Sequence, residues 1–183
     1  MSMATSHYGR FSRYLHWGMA ALLAWQFATT GARVLAADSA LDEFLWSTHR
    51  SMGALLLLLV VIRVLWALVD RANRPPAVSR AATLGHLALY ALMVIVPSLA
   101  LLRQFGSGRA FSPFGIPLMS GFEGESIEWM TAAGSLFHGV LGWTLLALIV
   151  GHIGMVLWHR RAGDQDVLGR MVVRRPVGGS PSG

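Results

Sequence analysis

Cysteine is absent from this chain of 183 residues. That absence excludes structural disulfides, thiolate metal sites, iron–sulfur clusters and the Cys-x-x-Cys-His attachment of a c-type haem. Lysine is absent too, so all fifteen basic residues are Arg, and acids number only nine. Charged residues make up 13% of the chain against 54% hydrophobic, and the mean hydropathy is +0.52. A water-soluble single domain does not have this balance, so the bilayer is read as the solvent and membrane lipid as the first partner. The formal charge of +6 raises nucleic-acid binding as a function. The arginines flank apolar segments instead of lining a polar face, and no nucleic-acid partner is expected.

Four apolar stretches stand out, at residues 14–32, 45–69, 84–102 and 131–158. Each is long enough to cross roughly 30 Å of hydrocarbon at about 1.5 Å per residue. The expected fold is all-α: an integral membrane four-helix bundle, a single domain over residues 1–172 with a flexible tail at 173–183. A cleaved signal peptide is the competing reading of the first stretch, but the run is long and cleavage would remove His16. Pro75 and Pro76 close the second helix from beyond its end. Ten arginines (10, 13, 71, 74, 80, 160, 161, 170, 174 and 175) fall on one side of the membrane and four (33, 50, 103 and 109) on the other. By the positive-inside rule both termini are cytoplasmic. Residues 104–130 then form a long outer loop rich in Gly, Pro and aromatics, a length that usually covers or builds something. The Arg-rich segment after Arg160 reads as a membrane-surface tail that frays.

Histidines within membrane helices are costly and are functional candidates by default. His138 and His152 are fourteen residues apart on the fourth helix. At about 100° and 1.5 Å per residue they share one face at depths roughly 21 Å apart. One helix thereby offers an axial ligand to each of two stacked haems. His49, near the outer end of the second helix, is the natural partner of His138, because no other histidine lies outside. On the cytoplasmic side His16 is the best partner for His152, with His86 as a rival; His7 and His159 lie too near the surface. The bland reading is a set of polar contacts between helices, and it fits any one histidine alone. It fits the set of depth-matched pairs poorly. Zinc fits less well too, since two histidines leave that ion short of its usual four ligands.

Gly53 and Gly142 each follow an outer histidine by four residues and so share its helix face, where a missing side chain leaves room for a macrocycle. Ordinary close helix packing also favours small residues there. Arg63 lies fourteen residues after His49, hence on the same face and about 21 Å deeper. It is expected to bind a propionate of the inner haem, the alternative being a side chain that snorkels toward the headgroups. Pro97, Met155 and the seven tryptophans read as a kink, packing and interface belts.

Five segments carry a resemblance: Arg-Tyr-Leu-His-Trp at 13–17, His-Arg-Ser-Met-Gly at 49–53, Leu-Gly-His-Leu-Ala-Leu-Tyr at 84–90, Phe-His-Gly-Val-Leu-Gly-Trp at 137–143 and Gly-His-Ile-Gly-Met-Val-Leu-Trp-His-Arg at 151–160. In this order, over residues 10 to about 172, the chain resembles the bacterial cytochrome b561 family of four-helix di-haem membrane cytochromes. The resemblance implies two non-covalent b haems, with iron ligated by His16 and His152 on the cytoplasmic side and by His49 and His138 outside. It also implies an oxidoreductase of the bacterial inner membrane, with superoxide oxidation and ubiquinone reduction as the best-defined activity of stand-alone members.

Two filled axial positions disfavour oxygen chemistry at iron and leave outer-sphere electron transfer. Quinone, soluble in the same bilayer, is the expected acceptor. The donor is superoxide or a redox protein partner, and catalytic residues in the strict sense are not assignable. Six outer acids against four outer arginines give the outer face a formal charge of about minus two, which argues against attraction of an anion unless the arginines cluster. A haem b anchor subunit linking quinone to a partner enzyme is the near alternative. A non-redox four-helix transporter or assembly subunit is the distant one.

Overall fold

The computed structural model describes residues 7–76, 78–163 and 168–172. Four long helices follow one another: α1 (Arg10–Leu35), α2 (Ala40–Val69), α3 (Arg80–Gly106) and α4 (Glu128–Ala162). Short 3-10 turns lie at Arg71–Asn73 and Pro113–Gly115, and among the described residues no strand forms beyond one antiparallel bridge, Phe111 with Met119. Every helix runs past the apolar stretch that announced it, because polar residues carry the ends out of the hydrocarbon. Ser39 and Ser79 cap α2 and α3, their hydroxyls accepting from the backbone N–H of Asp42 and Ala82. Asp42 and Glu43 in the first turn of α2, and Arg160 and Arg161 in the last turn of α4, complement the helix dipoles. Gly163, at φ +74°, ends α4 in the left-handed conformation.

The helices pack in chain order, α1 on α2, α2 on α3 and α3 on α4, with no extensive α1–α4 packing among the described residues. The core is thin: Met19, Leu56, Val60, Met93 and Leu145 meet at its centre. Val60 is fully buried while its neighbour Val61 is 42% exposed. Leu58, Leu65, Leu87, Val150 and Ile153 are likewise exposed, an outward apolar surface that suits lipid and not water.

By length and composition α2, α3 and α4 each suffice to cross a membrane. The first helix is less apolar, and several of its polar groups are turned onto α2. Trp25 Nε1 donates to Thr48 Oγ1 at 2.9 Å, Gln26 Nε2 to the His49 carbonyl at 3.1 Å, and the Ser12 hydroxyl accepts from Trp66 Nε1 at 3.0 Å. With these groups turned inward, α1 still presents an apolar exterior.

The outer loop folds back on itself. Phe111 is buried, its N–H bonds the Met119 carbonyl, and the Phe122 N–H bonds the Gly108 carbonyl. Gly121, at φ +81°, sits so close that a Cβ would come within 2.6 Å of the Gly108 oxygen. At the other face, the described part of the segment expected to fray is docked. Trp17 Nε1 donates to the Met171 carbonyl, Tyr8 N–H to the Arg170 carbonyl, and Arg170 Nη1 to the Pro76 carbonyl. Backbone carbonyls of the tail give the Trp and Tyr donors a partner, which the charge pattern alone did not suggest. The flexible tail expected at 173–183 lies outside the described residues.

Candidate functional site

His49 of α2 and His138 of α4 converge, their ring centroids 6.3 Å apart and their planes at 84°. Two imidazoles bound through nitrogen on opposite sides of one metal, at bonds of about 2.0–2.1 Å, require a centroid separation of roughly 6 Å. Their hydrogen bonds fix which nitrogen is offered. His138 Nδ1 lies 2.9 Å from the Val96 carbonyl. A carbonyl only accepts, so Nδ1 carries the proton and Nε2 is bare. His49 Nδ1 lies 2.6 Å from the Thr29 hydroxyl, which donates its single proton to the Gln26 carbonyl at 2.7 Å. With the hydroxyl proton on that carbonyl, Thr29 accepts from Nδ1–H, the arrangement that leaves His49 Nε2 bare as well. Metal-bound histidines are typically held this way, through the ring nitrogen that does not ligate.

The two rings line a cavity of about 750 Å³ that reaches from the outer loop down to the core residues Leu56, Met93 and Leu145, inside the span of roughly 300–1,000 Å³ usual for cofactor sites. Helices α1 to α4 and the outer loop all contribute to its wall. Both predicted glycines line it, for different reasons. At Gly142 an added Cβ would meet nothing within 4 Å, so this position opens into the space. At Gly53 an added Cβ would come within 2.9 Å of Gln26 Nε2, so the missing side chain there admits α1 against α2. The outer mouth is lined by Arg50, Arg103 and Arg109 and by no acid. Asp42, the outer acid most deeply placed, is 1% exposed and paired with Arg33 at 3.1 Å.

Some 21 Å further along α4, by the helical rise, His152 meets His86 of α3 at a centroid distance of 5.4 Å. His16 of α1 lies within electrostatic reach of both and of Arg63. All three inner candidates thus gather in one place; His86 makes the ring contact with His152, and His16 lies within electrostatic reach of it. Arg63 is already engaged: Nε donates to the Tyr90 hydroxyl at 2.9 Å and Nη1 to the Ser12 carbonyl at 3.0 Å. Its burial does not demand an anion, although two of five N–H donors are used and the others remain. Among the described residues no three His, Asp or Glu side chains converge to hold a bare metal ion. The donor set is instead one of paired imidazoles, suited to a metal whose remaining ligands arrive with it.

The family model for prokaryotic cytochrome b561 matches residues 7–173. This chain belongs to the prokaryotic cytochrome b561 family. It is 34% identical over 132 residues to cytochrome b561 homolog 2 of Escherichia coli (strain K12), a match that covers 68% of each chain. Members of the b561 family are membrane haem b proteins that transfer electrons, and the paired imidazoles and the cavity beside them fit that group. Thr29, Val96 and Gln26 are not singled out by the sequence, and Trp46 reads there only as one of the packing and interface-belt tryptophans. A threonine one helical turn from the end of an apolar run, or a backbone carbonyl, carries no signal until the helix opposite is known.

Proposed function

We propose that the chain moves electrons across the bacterial inner membrane through two bis-histidine b haems, from an outer donor such as superoxide to ubiquinone in the bilayer. The observation that carries this reading is the convergence of His49 and His138 with both Nε2 atoms bare. Haem held by such pairs of imidazoles would supply a one-electron iron couple suited to outer-sphere transfer. His49 and His138 would hold the outer haem, and His16 and His152 the inner one. The excess of arginine in the loops on that inner side supports placing both termini in the cytoplasm.

The arginine-lined mouth supports an anionic donor. Arg50, Arg103 and Arg109 face the cavity without an opposing carboxylate, so the local field is positive although the outer face as a whole is formally negative. Stoichiometry requires that two superoxide anions each release one electron to become dioxygen, while one ubiquinone takes up both electrons and two protons to become ubiquinol.

Purified protein is expected to carry about two low-spin six-coordinate haems, one for each histidine pair. Superoxide should reduce them without quinone, and added ubiquinone should reoxidise them. Optical spectra during both additions check this. A haem ratio that stays near one in well-loaded protein refutes the di-haem reading. Reduction no faster than in an uncatalysed control removes superoxide as donor and favours a protein partner. A protein without any Soret band overturns the electron-transfer reading itself.

Arg63 is proposed to offer its remaining N–H donors to a propionate of the inner haem. Loss of a nearby cation makes addition of an electron harder. Arg63→Gln is therefore expected to lower the inner haem's potential by about 60 mV, close to a tenfold change in a one-electron equilibrium, and to leave the outer haem nearly unmoved. A redox titration with both potentials unchanged counts against the contact.

A further inference from the structure

Thr29 is fully buried on α1, a helix whose other buried residues are Ser12 and Met19. Its side chain stands between the Gln26 carbonyl, 2.7 Å away, and His49 Nδ1, 2.6 Å away. The face of the same imidazole is covered by Trp46, at a centroid distance of 4.8 Å and an interplanar angle of 17°. Trp46 in turn carries the Arg33 guanidinium 4.6 Å from its ring centre, and Arg33 is paired with buried Asp42. The ring of His49 is thereby restrained at its edge and across its face, both by side chains. His138 is restrained through a backbone carbonyl, which no side-chain substitution removes.

We propose that Thr29 is the positioning residue of the outer haem ligand: by accepting the Nδ1 proton of His49 it fixes the tautomer that leaves Nε2 free for iron, while Trp46 sets the plane of the ring. This rests on the reading of His49 as an axial ligand. A ligating imidazole that donates a hydrogen bond is more basic and pushes more electron density to the metal, which favours the ferric state. Loss of the acceptor weakens that push and frees the ring to take the other tautomer. Val in place of Thr keeps the branched shape and removes only the hydroxyl; Ser restores it.

The test uses full-length haem-loaded protein and reads haem content, the midpoint potential of each haem and the low-spin electron paramagnetic resonance of the outer haem. Thr29→Val is expected to loosen the outer haem 10–100-fold. In the fraction that retains it, the ferric-to-ferrous balance should shift about tenfold toward ferrous, a rise of about 59 mV for one electron. The inner haem should not move, and Thr29→Ser should restore both readouts. If Thr29→Val fails to accumulate, Thr29→Ala carries the same expectation with less strain. Two tightly held haems with unchanged potentials and resonance in Val or Ala overturn the proposal, as does a Ser variant that behaves like Val. Retention of both haems by His49→Ala would instead overturn the ligand assignment, a failure distinguishable from that of Thr29.

Discussion

Replacing His138 with Ala is expected to reduce the haem content of the purified chain from about two per chain to about one, the inner haem remaining. The imidazole contributes a bare Nε2 6.3 Å, centroid to centroid, from its partner ring, and Ala has nothing to offer in its place. His49→Ala should give the same result from the opposite helix, and His152→Ala should remove the inner haem while sparing the outer. The surviving haem serves as an internal control for folding, which matters because His138→Ala also leaves the Val96 carbonyl without its imidazole donor, at a cost of about 1–3 kcal/mol. His16 and His86 decide the inner pair. His86 touches His152 and His16 lies within electrostatic reach of it; the family resemblance favours His16, so His16→Ala is expected to lose the inner haem and His86→Ala to keep both. The reverse outcome, by pyridine haemochrome assay and optical spectrum, would assign the inner ligand to α3.

Neutralising Arg50 and Arg109 together, each as Gln, is expected to slow haem reduction by superoxide roughly tenfold at low ionic strength while haem content stays the same. These two charges and Arg103 line the mouth of the outer cavity with no carboxylate among them. An anion approaching a concave, low-dielectric wall of one sign is concentrated there, and the effect fades as salt shortens the screening length to about 10 Å at 0.1 M. The wild-type rate should therefore fall with added salt and the variant's rate should fall less. Gln at position 50 gives up the contact of Arg50 with the Gln104 side chain at 3.3 Å, but Gln104 keeps its own donations to the Arg109 and Ala110 carbonyls at 2.9 and 3.2 Å, which neither substitution removes, so a lost rate would not reflect collapse of the loop. Equal rates and equal salt slopes in the two proteins would mean that these arginines do not steer the donor.

The sequence by itself determined the class of molecule and the spacing of the histidines along its helices. An apolar run must become a helix in hydrocarbon, because only a helix satisfies its own backbone there. Helical period then converts the fourteen-residue interval from His138 to His152 into one face and two levels. The four helices and the convergence of His49 with His138 followed from that, and the family from the resemblance of five sequence segments. What the sequence did not determine is how the helices lean on one another. Only packing brought Thr29 of α1 to His49 of α2, Val96 of α3 to His138 of α4, and Tyr90 and Ser12 to Arg63. Charge behaved likewise: a count of outer arginines and acids gave a negative face, whereas the fold buried Asp42 against Arg33 and turned three arginines into one cavity. Periodicity along one helix is a local property of the backbone, legible from spacing alone. The neighbour that each buried polar group finds is set by side chains distant in sequence, and only the tertiary structure chooses it.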